Sequence, residues 1–128
     1  MTRRLIFALL SLLTVIVPAA AQDWPAKPVR VIVPFGPGST PDVVARLIAD
    51  ELQKKLGQTF IIENKPGAGS MIGATYVAKA APDGYTFLTP AAGVITNALI
   101  KSRMPYAEDD LVPVVMMAVS PSVIVVPA

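Results

Sequence analysis

Apolar and polar positions follow two alternating periods along the chain. The β-branched run Val29–Pro34 ends at a proline and is typical of a buried strand. After a Gly/Pro turn, apolar residues recur at steps of three and four, which predicts a helix that ends at Gly57. Thr40 is its predicted N-cap and Pro41 its first helical residue. The predicted apolar face of this helix consists of Val43, Val44, Leu47, Ile48, Leu52 and Leu56.

The same succession of strand, turn and helix then repeats. Two further helices are predicted, one from Ser70 to about Ala81 and a short one near Ala98–Ser102. Further strands are predicted at Thr59–Glu63, Tyr85–Thr89, Val112–Val119 and Ser122–Ala128. This alternation indicates an α/β fold with a mostly parallel sheet and right-handed crossovers.

Three strand-to-helix turns share one chemical character. The first turn (Gly36–Ser39), the second turn (Pro66–Ser70) and the third turn (Thr89–Gly93) are built from small residues without charged side chains. In a parallel α/β sheet such turns gather beyond the carboxyl ends of the strands, where ligands bind. Glycine permits close approach to the backbone, and helix N-termini present amides with partial positive charge. Each turn alone is equally consistent with an ordinary tight turn, but together the three predict a site for an anion.

The N-terminus resembles a secretory signal peptide. It has basic Arg3 and Arg4, an apolar run from Leu5 to Val17 and a small-residue end at Ala21, which predicts cleavage there. The alternative is an uncleaved anchor, but the apolar run is shorter than the ~20 residues that span a bilayer. The two arginines also account for the net charge of +2, so we expect no nucleic-acid partner. Residues 22–128 then form one exported α/β domain, with the periplasm as its predicted location.

The 128-residue chain contains no histidine and no cysteine. This composition excludes Ser-His-Asp and Cys-His nucleophiles, zinc sites built on those residues, and a lipid-bearing cysteine. Carboxylate or lysine chemistry remains possible, so this composition disfavours an enzyme without excluding one. We expect a binding protein without cofactor or metal, and one that is not embedded in the membrane after cleavage.

A dinucleotide-binding enzyme domain is the nearest alternative among known anion motifs. Gly36 and Gly38 open a helix, and Glu63 ends the second strand where a ribose-binding acid would lie. Pro41, however, occupies the position of the third glycine, where it obstructs close packing of helix and strand. No turn carries the Gly-Lys-Ser/Thr ending of a phosphate-binding P-loop.

Several spaced motifs resemble one known family. They are the Pro-Gly turn followed by Asp42 and "VAR", then "ENKPGAG", "IGA", "VAKAAPDGYT" and "MPY". The chain from Trp24 to Ala128 is similar to the start of the substrate-binding proteins of tripartite tricarboxylate transporters, the Bug family. The resemblance implies a periplasmic-binding-protein-like (Venus flytrap) fold, in which two α/β domains close over a small carboxylate delivered to membrane subunits of the transporter.

The resemblance also implies the residues that hold the ligand, through backbone groups and water. The matching positions are Phe35, Pro37, Gly38, Ser39 and Asp42 in the first turn, Gly67, Ala68, Gly69 and Ser70 in the second, and Thr89 and Ala91 in the third. Ser39 and Ser70 stand where the family usually has glycine. Family members are more than twice as long, so we expect the second domain to be missing from this chain. A truncated product without binding activity is the remaining alternative.

Overall fold

The central strand of the sheet is the first one in the sequence. In the computed structural model, which describes residues 23–90, 92–119 and 124, β1 (Val29–Val33) lies between β2 (Phe60–Asn64) and β3 (Thr86–Leu88). Both pairings are parallel, as the alternation of elements predicts. Val29, Ile32 and Val33 are fully buried, and each such side chain contributes about 1.5–3 kcal/mol by leaving water.

Helix α1 (Thr40–Leu56) ends as the sequence predicts and begins one residue earlier than predicted. Gly57 adopts a left-handed conformation, with φ of 69°, and its amide donates to the carbonyl of Gln53. The N-cap is Ser39 rather than Thr40, and Pro41 is the second helical residue. The predicted capping role of Thr40 is wrong because the extended backbone that precedes the helix already ends at Ser39.

The predicted apolar face of α1 is wrong in part. The buried residues of α1 are Asp42, Ala45 and Ala49, whereas Val43 and Leu47 are 47% and 65% exposed. The small alanines let the helix approach the sheet closely. Ala49 packs in a core with Val29 and Phe60, and the surrounding apolar side chains are those of Val31, Leu52, Ile62, Tyr85 and Phe87.

Two shorter helices complete the described fold. Helix α2 (Met71–Ala78) follows a single 3-10 turn at Ala68–Ser70 and contacts β1 and β3. Since side chains alternate across a strand, Arg30 and Thr86 face α2 while Val29 and Phe87 face α1. Helix α3 (Ala92–Ile100) begins six residues before the helix predicted near Ala98–Ser102.

The prediction of a strand at Val112–Val119 is wrong. This segment adopts neither strand nor helix, and the side chains of Val112, Val114, Val115 and Met116 are 75–79% exposed. A strand requires a hydrogen-bonded neighbour in addition to a suitable pattern, and Pro113 lacks an amide to offer. The predicted strand at 122–128 lies outside the described residues apart from Ile124. Within the described residues, no helix combines the length and apolar character needed to cross a membrane.

Candidate ligand-binding site

The three small-residue turns follow three adjacent parallel strands. Beyond the end of β1, the amide of Lys65 donates to the carbonyl of Val33 at 2.8 Å, and the amide of Thr89 donates to that of Ile32 at 2.9 Å. These bonds extend the parallel hydrogen-bonding of the strands to the first residues that follow β2 and β3. The turns therefore lie at one edge of the sheet, as sequence predicts, and the N-termini of α1, α2 and α3 begin there.

The first turn is held closed by its own polar groups. The hydroxyl of Ser39 donates to the carbonyl of Gly36 at 2.7 Å. Gly38 has a φ of 81°, and its amide donates to Oδ2 of Asp42 at 2.9 Å. Pro37 and Gly38 are exposed at the tip of the turn, while Phe35 and Ser39 are half-buried.

The carboxylate of Asp42 is buried beneath this turn rather than facing the open edge. Asp42 is 2% exposed, and its oxygens accept hydrogen bonds from Arg46 and from the side-chain amide of Asn64 in addition to Gly38. The same Asn64 amide nitrogen donates to the carbonyl of Phe35 at 2.9 Å. The hydrogen bond from Arg46, with those from Gly38 and Asn64, lowers the pKa of Asp42 to about 2. Asp42 is thus an ionised anchor that fixes the first turn to α1 and β2.

The second turn has an unusual backbone. Gly67, Ala68, Gly69 and Ser70 all have positive φ values, of 125°, 49°, 63° and 78°. For alanine and serine such a conformation costs roughly 1–2 kcal/mol each. Residues Gly67 to Gly69 are exposed, whereas Ser70 is buried and precedes α2 without a capping bond from its side chain. Strain of this size persists only where the surrounding structure holds it.

The third turn and α3 supply that surrounding structure. Asn97 of α3 is 5% exposed, and its Nδ2 donates to the carbonyl of Gly69 at 2.6 Å. One helical turn earlier, a Cβ placed on Gly93 would lie 2.9 Å from the same carbonyl oxygen. The buried hydroxyl of Thr89 donates to the carbonyl of Ile32 at 3.1 Å. The structure thus brings the second and third turns into contact, while Ala91 lies outside the described residues.

Glu63 has a structural partner. Its carboxylate accepts two hydrogen bonds from the guanidinium of Arg30, at 2.6 and 2.9 Å, and Lys65 lies 3.6 Å from it. The bond from Arg30 holds the pKa of Glu63 below its ordinary value. A ribose would have to compete with this bidentate pair, so the arrangement does not favour the dinucleotide alternative.

Sequence reasoning missed three residues that shape the turns: Arg46, Asn64 and Asn97. Asn64 was the easiest of them to predict from the sequence. It ends β2 directly beside the end of β1, and its side-chain amide can bridge two turns. Asn97 had no local signal, because nothing in the sequence of α3 distinguishes its buried face from its exposed one.

A parallel sheet with helices between its strands and three charge-free turns beyond their carboxyl ends gives this chain an α/β fold. The family model described as "Tripartite tricarboxylate transporter family receptor" (TctC) matches residues 44–128. The chain belongs to this family, as the motifs of its turns predict. The family consists of transporter receptors and not of enzymes.

Individual relatives agree with this assignment. The chain is 42% identical to BugT of Bordetella pertussis over 111 residues, which cover 84% of this chain and 34% of BugT. It is similar to MatC of Rhodopseudomonas palustris with bound malate (TM-score 0.53, 45% identity, 64% of this chain and 29% of that one). It is also similar to R. palustris Rpa4515 with adipate (TM-score 0.51, 50% identity, 52% and 22%). The chain spans about a third of the length of the curated relatives it matches.

Proposed function

We propose that this protein captures a small carboxylate in the periplasm and presents it to the membrane subunits of a tripartite tricarboxylate-type transporter. The observation that carries the proposal is the meeting of three charge-free turns and three helix N-termini at one edge of the sheet. Backbone amides there bind an anion without a basic side chain. The malate and adipate bound by two relatives are anions of the expected kind.

The ligand contacts follow from the exposure of each turn. We assign direct or water-mediated contact to the tips, where Pro37 and Gly38 in the first turn and Gly67–Gly69 in the second are exposed. The neighbouring positions Phe35, Ser39, Ser70, Thr89 and Ala91 complete the proposed site. Asp42 contributes by holding the first turn, because its carboxylate oxygens are already hydrogen-bonded inside the protein.

The greater length of the relatives supports a site in which two domains each contact part of the ligand. We propose that residues 1–21 are a signal peptide and that residues 22–128 form the first of two domains, which hold one end of the ligand. Without closure by a second domain, solvent and salt compete for the amides, so each bond has a small net value. We expect dissociation constants above about 1 mM for this chain alone.

Titration followed by NMR tests the proposal at these affinities. Malate, adipate and citrate are added to the isotope-labelled chain, with glucose and putrescine as neutral and cationic controls. We expect the carboxylates to shift the amide signals of Gly38, Gly69 and Ser70 and the controls to leave them in place. A matched variant, Gly69→Val, removes close approach and should abolish the shifts. Shifts produced by glucose or putrescine alone, or by none of the compounds, would contradict the proposal.

A further inference from the structure

One face of α3 contacts the carbonyl of Gly69. Gly93 and Asn97 lie four residues apart on that helix and therefore share a face. The Nδ2 of Asn97 donates to Gly69 O at 2.6 Å, and the absence of a side chain at Gly93 lets the helix backbone come close to the same oxygen. Asn97 is one of four buried polar residues in the described part of the chain, and it is the buried residue of α3.

This bond also sets the direction of an amide on the other side of the peptide. In a planar trans peptide the carbonyl of Gly69 and the N–H of Ser70 point in opposite directions. Since Asn97 fixes the carbonyl toward α3, the N–H of Ser70 is fixed pointing away from α3. The backbone here is left-handed at both residues, with φ of 63° and 78°. Ser70 has no preference for that conformation of its own.

We infer that Asn97 is a positioning residue that holds the second turn in its left-handed form, and with it the exposed tip Gly67–Gly69 to which the proposed function assigns the carboxylate. This inference rests on the proposed function, which places the ligand at the tips of the turns. Asn97 itself is buried behind the turn and acts through Gly69. The third turn thereby contributes to the site through the helix that follows it as well as through its own residues.

Amide hydrogen exchange combined with malate titration tests the role on the full chain. In Asn97→Ala we expect exchange at Gly69, Ser70 and Met71 to accelerate about tenfold relative to the amides of β1, as for the loss of one part-buried hydrogen bond. We expect malate and adipate affinity to fall by a similar factor. Thr96→Ala, at an exposed position on the same helix, is the matched control and should change neither quantity.

A second variant guards against failure of the first to fold. Asn97→Asp conserves volume but replaces the donor with an oxygen that repels the Gly69 carbonyl, and it should give the same local acceleration. Equal acceleration in β1, or none at Gly69–Met71, would overturn the inference. So would weakened protection of the turn with unchanged malate and adipate affinity. If the wild-type chain binds neither acid, the proposed function and the ligand role fail together, while the exchange data still show separately whether Asn97 fixes the turn.

Discussion

Asn64 and Asp42 are hydrogen-bonded beneath the first turn, with Asn64 Nδ2 2.9 Å from Asp42 Oδ1. Asn64 also donates to the carbonyl of Phe35 and accepts from Arg46. Replacing Asn64 with alanine removes these bonds and leaves polar groups unsatisfied, so we expect a loss of about 1–3 kcal/mol in the free energy of unfolding. Urea unfolding measures it. Gln53→Ala, at an exposed position on α1, should change stability by less than about 0.5 kcal/mol. A loss as small in Asn64→Ala would contradict the bridging role.

The ionised Asp42 makes stability depend on pH in the acid range. Its pKa in the folded protein, about 2, lies below the ordinary value of 3.8. A group whose pKa is lowered by folding stabilises the folded state above its ordinary pKa and loses that contribution as pH falls through the folded pKa. The difference in unfolding free energy between wild type and Asp42→Asn should therefore be full at pH 5 and shrink between about pH 4 and pH 2. A difference that stays constant across that range would show that charge is not involved.

The two glycines of the first turn give a matched pair. A Cβ would meet open space at both Gly36 and Gly38, but Gly38 alone has a left-handed φ, of 81°. Gly38→Ala should cost roughly 1–2 kcal/mol. Gly36→Ala should be neutral or stabilise by up to about 1 kcal/mol through the unfolded chain. Thermal unfolding measures the change in stability of each variant. Equal changes would mean that the left-handed backbone conformation at Gly38 does not affect stability.

Gly73 in α2 should reverse the usual effect of helix propensity. Alanine is normally favoured over glycine within a helix by about 1 kcal/mol. A Cβ on Gly73 would lie 2.9 Å from the Cβ of Pro34 and 3.1 Å from the carbonyl oxygen of Lys65. We expect Gly73→Ala to destabilise the fold by about 1–3 kcal/mol through overpacking. Chemical denaturation gives the sign of the change in unfolding free energy. A stabilised variant would mean that α2 shifts freely over β1.

The exposed segment Val112–Val119 should drive self-association. Its apolar side chains form a contiguous exposed stretch, and β3 is an edge strand of the described sheet. Sedimentation velocity over a range of concentrations should show oligomers of the wild-type chain. The double variant Val115→Lys, Met116→Lys should reduce them. Leu47→Lys, at another exposed apolar position, should not. A wild-type chain that is monomeric at all concentrations would refute this prediction.

The sequence predicted the helices and strands best where residues that begin or end an element, such as proline and glycine, agree with the apolar pattern. The bounds of β1, β2 and α1 lie within one residue of prediction, and for β1 and α1 this is because Pro34, Pro41 and Gly57 mark them chemically. The buried face of α1 was less predictable, since alanines at Ala45 and Ala49 fit against the sheet while larger side chains remain outside. The turns were recognisable from their composition. The asparagines that anchor them were not, because a buried asparagine such as Asn97 has the same local sequence signal as an exposed one.

The central position of β1 has a consequence for the order in which the chain folds. Val29 pairs with Phe60, and Arg30 pairs with Thr86. The partners of β1 therefore lie 31 and 56 residues further along the chain and are synthesised after it. Closing such loops costs entropy before any pairing energy is returned, and folding through distant contacts is slow. The emerging polypeptide therefore cannot complete this sheet until residue 88 is available.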